Sequence, residues 1–169
     1  MIITGTTRMA ISQRTIDIVK ATAPAVKEHG EAITTRMYEI AFAERPDYRL
    51  GFENTWMVDA HGNGQAKKLA ASVYAYATHI DNLKELASAV DRIAHKHVEA
   101  RILPEQYSLI GAKLLEAMKD VLGEAATEDV IDAWGEAYNA LATIFIDAEA
   151  KLYKENDQAL LEKLNEAES

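Results

Sequence analysis

The chain contains no cysteine. That excludes a disulfide framework, a thiolate metal site and a cysteine nucleophile. Proline is scarce: Pro24, Pro46 and Pro104 are the whole set, and 169 residues hold only eight glycines. Strand-rich folds need turn residues at short intervals, so this poverty of punctuation favours long helices. Positive charge is also short, with 18 Lys and Arg against 27 Asp and Glu, a net charge of −9 and a pI of about 5.0. No basic stripe is present, which argues against a nucleic-acid partner. No apolar run reaches membrane-spanning length. The opening Met1-Ile2-Ile3-Thr4-Gly5 is too short, and turns polar too soon, for a secretory core. A cytoplasmic protein without a membrane partner is the expectation.

What is present fits one domain. Hydrophobic residues make up 49% and charged residues 27%, an ordinary mix for a chain long enough to bury a sizeable core. Residues 1–11 read as a flexible leader, 12–153 as the folded domain and 154–169 as a charged tail, helical or disordered. Ser12 caps a first helix to about His29, with Pro24 bending or splitting it and Gly30 ending it. A second helix runs from about Glu31 to Glu44, with Ile33, Met37, Ile40 and Ala41 at helical spacing. Pro46 suits a short helix towards Leu50, and residues 51–63 read as an irregular connection. Helices then follow over Gln65–Ile80, Leu83–His97 and Pro104–Gly123. A long last one opens on Thr127 as N-cap and carries Trp134, Tyr138, Leu141, Phe145 and Leu152. Six to seven helices, no repeat and no linker define an all-α chain.

Three polar residues fall on apolar stripes of three different helices. His97 shares a face with Val90, Ile93 and Ala94, Tyr107 with Ile110, Gly111, Leu114 and Met118, and Glu149 with Leu141, Phe145 and Leu152. A carboxylate in such surroundings is costly unless hydrogen-bonded or paired. One arrangement satisfies all three: Glu149 accepts from Nδ1–H of His97 and from the Tyr107 hydroxyl. The other imidazole nitrogen is then free for a metal, and in a helical chain of this size a haem iron is a candidate. Plain structural readings stand beside this one. A histidine on an apolar face is commonly a satisfied core residue, Tyr107 can point its hydroxyl to solvent, and Glu149 can reach outward from the edge of its stripe.

Other metal sites fit less well. His95 and His97 lie two apart and point roughly 200° away from each other on a helix, so they cannot share one ion there. No His-Glu-x-x-His occurs. No Glu stands three residues before any histidine, which removes the di-iron bundle pattern. Glycine-rich phosphate or dinucleotide loops are absent.

At the level of segments, the chain resembles the bacterial single-domain globins and the globin domain of flavohaemoglobins. The matching stretches are Ile18-Val19-Lys20-Ala21-Thr22-Ala23-Pro24, Lys27-Glu28-His29-Gly30, Ile33-Thr34-Thr35 with Met37-Tyr38, and Ala75-Tyr76-Ala77 with Ile80-Asp81-Asn82-Leu83. Ile93-Ala94-His95-Lys96-His97, Pro104-Glu105-Gln106-Tyr107, Val121-Leu122-Gly123-Glu124-Ala125-Ala126-Thr127 and Asp132-Ala133-Trp134-Gly135-Glu136-Ala137-Tyr138 follow. The likeness covers roughly residues 12–153.

The resemblance implies a globin fold of six to eight helices around a b-type haem, iron protoporphyrin IX. It puts His97 at the proximal iron ligand and Phe52 at the ring that stacks on the haem. Tyr38 and Gln65 match the distal pair that hydrogen-bonds dioxygen, and Leu69 the leucine lining that side. Tyr107 and Glu149 match the residues that hold the ligand histidine. Between Phe52 and Gln65 this chain is a few residues longer than its relatives, so the register of Gln65 rests on counting back from Leu69 and His97. His61, in that longer connection, is a second distal candidate.

The implied ligands are dioxygen, nitric oxide and carbon monoxide. The implied activity is conversion of nitric oxide to nitrate, or a pseudo-peroxidase reaction, with electrons from a separate NAD(P)H-dependent reductase because the chain ends at Ser169. Dioxygen carriage or storage without catalysis and gas sensing through a partner are the alternatives. A homodimer is implied by resemblance alone.

Overall fold

The computed structural model describes residues 11–48, 64–99 and 104–168. Among these the chain forms five α-helices and a few short 3-10 segments, without strands. The expected leader up to residue 10, Phe52 and His61 lie outside the described residues.

Helix α1 spans Gln13–Glu44. Ser12 caps it, its hydroxyl accepting from the Thr15 amide at 3.2 Å. The sequence predicts two helices here, broken at Gly30, and the structure has one. Gly30 ends nothing: it is buried, and a β-carbon on it would meet Cβ of Ala70 at 3.1 Å. Its small size serves a close helix crossing rather than a left-handed cap. Pro24 removes one backbone donor, yet the helix runs through it because Val19, Ala23 and Val26 on either side are buried in the core. A single 3-10 turn occupies 46–48.

Helix α2 spans Gln65–Thr78 and stops short of Ile80, which is nevertheless buried. The segment expected to be helical from Leu83 opens instead as a 3-10 turn, Leu83–Leu86, before α3 at Ala87–Glu99. Helix α4 is Pro104–Leu122. Gly123 follows at φ 56°, the left-handed conformation that favours glycine after a helix end.

Helix α5 runs unbroken over Glu128–Glu168. Its start is held by the Thr127 hydroxyl, which accepts from the Val130 amide at 3.3 Å, and Glu128 and Asp129 complement the helix dipole. The charged tail simply continues this helix, with Leu160, Leu161 and Leu164 more than half exposed.

The core is assembled on α1, which packs against α2, α4 and α5, while α5 also packs against α3 and α4. Ile33, Met37, Met118 and Val19 are essentially sealed from solvent, each such side chain contributing about 1.5–3 kcal/mol. Polar ties fix the helix order. The Trp134 indole donates to the Thr22 hydroxyl at 2.8 Å, and the Tyr76 hydroxyl donates to the Ala137 carbonyl at 2.7 Å. Near the start of α1, Glu136 accepts from the Ser12 amide and the Thr15 hydroxyl. Those two donors hold its carboxyl below the usual carboxylate range.

Candidate functional site

His97 stands in the last turn of α3 and reaches two residues on other helices. Its Nδ1 lies 2.8 Å from Oε2 of Glu149 on α5 and 2.8 Å from the Tyr107 hydroxyl on α4. Tyr107 donates to the same carboxylate, at 2.6 Å to Oε2 and 2.9 Å to Oε1. The Glu149 side chain is only 4% exposed, so its charge is compensated by these donors rather than by water.

The imidazole tautomer follows from the partners. An ionised carboxylate only accepts, so Nδ1 must carry the proton. Burial, reinforced by the bond to Glu149, pushes the Tyr107 phenol far above its ordinary range. It is therefore a neutral donor, and its proton goes to Glu149. The lone pair of His97 is left on Nε2. That nitrogen has no hydrogen-bond partner among the described residues, and a third of the side chain is exposed. Phe145 closes the apolar side, its ring centroid 5.6 Å from that of His97 and 6.5 Å from that of Tyr107.

A second pair joins α1 to α2. The Gln65 side-chain amide donates to the Tyr38 hydroxyl at 3.1 Å. Tyr38 is 7% exposed, and burial pushes its pKa up to about 12 against the smaller opposing effect of the Gln65 bond. Its ring stacks on Phe42 with centroids 5.5 Å apart. Leu69, one turn beyond Gln65, is half-buried against the core. The crossing that brings Gln65 to Tyr38 is tied by Thr34, whose hydroxyl donates to the Ala66 carbonyl at 2.6 Å, and is made close by Gly30 against Ala70.

The structure thus groups His97 with Tyr107 and Glu149, and Tyr38 with Gln65. Sequence reasoning missed Thr34 and Gly30. The available signal was their spacing, since Gly30, Thr34 and Tyr38 recur every four residues on one face of α1.

A metal held here would need to bring most of its own ligands. Among the described residues no group of three or more His, Asp or Glu could enclose an ion. One histidine with an available Nε2 and a buried carboxylate behind Nδ1 is the donor set of a macrocycle-bound metal, whose equatorial nitrogens come from the macrocycle. The residues present fit a haem in that sense. No helix among the described residues is long and apolar enough to cross a membrane.

Among the described residues the fold is all-helical with a carboxylate-backed histidine, and sequence comparison gives it a family. The globin family profile matches residues 35–145; the chain belongs to the globin family. A flavohemoprotein of Halalkalibacterium halodurans is 48% identical over 149 residues, covering 88% of this chain and 36% of that protein. This chain therefore spans about a third of the length of the curated relatives it matches. Among solved structures, an engineered carbene transferase from Rhodothermus marinus, built on a provisionally assigned nitric oxide dioxygenase, aligns with a TM-score of 0.80. It is 34% identical, with 88% of this chain and 99% of that one covered. A flavohemoglobin from Malassezia yamatoensis, with FAD and haem bound, aligns with a TM-score of 0.72. It is 31% identical, covering 85% of this chain and 38% of that one.

Proposed function

We propose that this chain is a haem b globin that takes up dioxygen and converts nitric oxide to nitrate with electrons from an NAD(P)H-dependent reductase lying outside these residues. The observation that carries the reading is the His97 imidazole, its Nδ1 tied to a buried carboxylate and its Nε2 lone pair available. The globin unit in this reading is 12–153. The net reaction is nitric oxide, dioxygen and one electron giving nitrate, which balances in atoms and charge.

His97 would hold the haem through Nε2, and the haem iron would supply the binding of dioxygen, nitric oxide or carbon monoxide. The protein does the rest. Glu149 accepts a hydrogen bond from Nδ1–H of His97, which would strengthen the imidazole as a donor to iron, while Tyr107 keeps the carboxylate turned towards the ring. Tyr38, protonated well past neutral pH, offers a hydrogen bond to a diatomic ligand that gathers negative charge, and Gln65 holds that hydroxyl in place. Leu69 keeps an apolar wall on the same helix as Gln65. Phe52 is assigned to haem stacking by resemblance.

Two measurements test the reading. Recombinant protein supplied with haemin should develop a Soret band that His97→Ala abolishes; colourless wild-type protein, or undiminished pigment in the variant, overturns haem ligation. The dioxygen-loaded protein mixed with nitric oxide and a reductase should then yield nitrate over many turnovers. Stable dioxygen uptake with no sustained turnover would leave an oxygen carrier in place of the enzyme.

A further inference from the structure

We infer that Thr34 is a positioning residue for the Tyr38–Gln65 pair, acting through the main chain of Ala66. The inference rests on the reading of that pair as the side on which a diatomic ligand binds. Thr34 is 1% exposed, and its hydroxyl has one proton to give. Three carbonyls lie within reach: Ala66 on α2 at 2.6 Å, and Gly30 and Glu31 on its own helix at 3.1 and 3.3 Å. A hydroxyl inside a helix ordinarily bonds a carbonyl one turn back. Thr22, Ser72 and Thr143 do so. The shortest bond of Thr34 leaves its helix instead.

Where that bond lands gives it its effect. Ala66 directly follows Gln65, the first residue of α2, and that helix begins after Gly64 with no side-chain cap. The hold that a capping side chain gives a first turn is therefore missing. Two bonds across the crossing stand in for it: Thr34 to the Ala66 carbonyl at 2.6 Å, and the Gln65 amide to Tyr38 at 3.1 Å. Thr34 and Tyr38 are one turn apart on α1, and their partners are neighbours on α2. One turn before Thr34, Gly30 admits Ala70. Gly30, Thr34 and Tyr38 thus meet α2 in succession along one face of α1.

Of the two bonds, the one to Ala66 is the shorter and has the better-placed anchor, a main-chain atom. Without the Thr34 hydroxyl the first turn of α2 loses that tie, and Gln65 is freer to part from Tyr38. A Tyr38 hydroxyl without its amide partner is less well organised in advance as a donor to a ligand that gathers negative charge. The Ala66 carbonyl keeps the donor expected four residues on in its own helix, so deleting the hydroxyl orphans no buried acceptor.

The test uses the haem-loaded, ferrous full chain. It reads the C–O stretching frequency of the carbon monoxide complex and the dioxygen dissociation rate. Thr34→Val deletes the hydroxyl and keeps the shape. It should raise the C–O frequency, because a hydrogen bond to the ligand oxygen lowers that stretch. It should also speed dioxygen release about two- to tenfold, the contribution of one neutral hydrogen bond. Thr34→Ser keeps the hydroxyl and should hold both values near wild type. In a Gln65→Leu background Thr34→Val should add nothing. Thr34→Ala is the second deletion variant, read in its place if the valine does not pack. Wild-type values in the deletion variants, a serine variant no different from them, or a shift that persists undiminished without the Gln65 amide overturns the inference. A wild-type chain that takes up no haemin overturns the haem reading and this inference with it. A haem-loaded protein that responds to Tyr38→Phe and ignores Thr34 overturns this inference alone.

Discussion

The Tyr38 hydroxyl accepts a hydrogen bond from Gln65 across the α1–α2 crossing, at 3.1 Å. An oxygen that already accepts from an amide has one proton of its own to donate. Gln65 thereby ties the Tyr38 phenol oxygen on α1 to the start of α2.

Tyr38→Phe should raise the dioxygen dissociation rate of the haem-loaded protein. A hydrogen bond to a charged acceptor contributes about 1.5–3 kcal/mol, or roughly one to two orders of magnitude in rate. Stopped-flow displacement of dioxygen by carbon monoxide measures it. A rate equal to wild type would remove Tyr38 from the ligand side.

Glu149→Gln should lower the iron–histidine stretching frequency, because a neutral amide oxygen accepts less strongly from Nδ1 than a carboxylate does. The same change should be well tolerated in folding, since Gln keeps an acceptor and similar volume at a site that is 4% exposed. Resonance Raman reads the first effect and thermal melting the second. An unmoved frequency means that the carboxylate charge does not reach the iron.

Alkaline stability should fall in a defined window. Folding raises the Tyr38 pKa from 10.0 to about 12. The folded state therefore prefers the protonated phenol, and the resulting stability is complete below pH 10 and lost as pH climbs through about 12. The contribution is on the order of 3 kcal/mol, and burial raises Tyr76, Tyr107 and Tyr138 in the same direction. Of seven tyrosines, these four should ionise only with cooperative unfolding when absorbance near the phenolate band is followed. Gradual ionisation of all seven before any loss of helix signal would contradict the burial assigned to them.

Gly30→Ala should lose stability despite gaining helix propensity. The propensity gain is at most about 1 kcal/mol, whereas crowding a packed crossing costs about 1–3 kcal/mol, and the new methyl would sit 3.1 Å from Cβ of Ala70. Adding Ala70→Gly should recover part of the loss in urea titrations. Strict additivity of the two changes would mean that the helices do not meet there as described.

Much of this was readable from residue spacing. The apolar stripes predicted helices from Gln65, Pro104 and Thr127, and helices begin at Gln65, Pro104 and Glu128. The hydrogen-bonded group of His97, Tyr107 and Glu149 could be drawn because each is polar on an apolar stripe, and a buried carboxylate demands donors. Gly30 misled because a glycine near a helix end and a glycine under a crossing helix look alike in one dimension; only Ala70, forty residues on, distinguishes them. Tyr138 read as one more core aromatic because its partner is a main-chain carbonyl, and main-chain partners leave no trace in residue types. The 3-10 turn at Leu83–Leu86 is a difference in hydrogen-bond step that apolar periodicity does not resolve.

Helix α5 carries Trp134, which is 3% exposed, and Leu161, which is 60% exposed. Its amides should accordingly span nearly the full range of deuterium uptake within one continuous element, slowest beside Trp134 and fastest near Glu166. Of the basic residues in the last turns of this helix, the exposed Lys154 and Lys163 should be open to trypsin, shortening the rod.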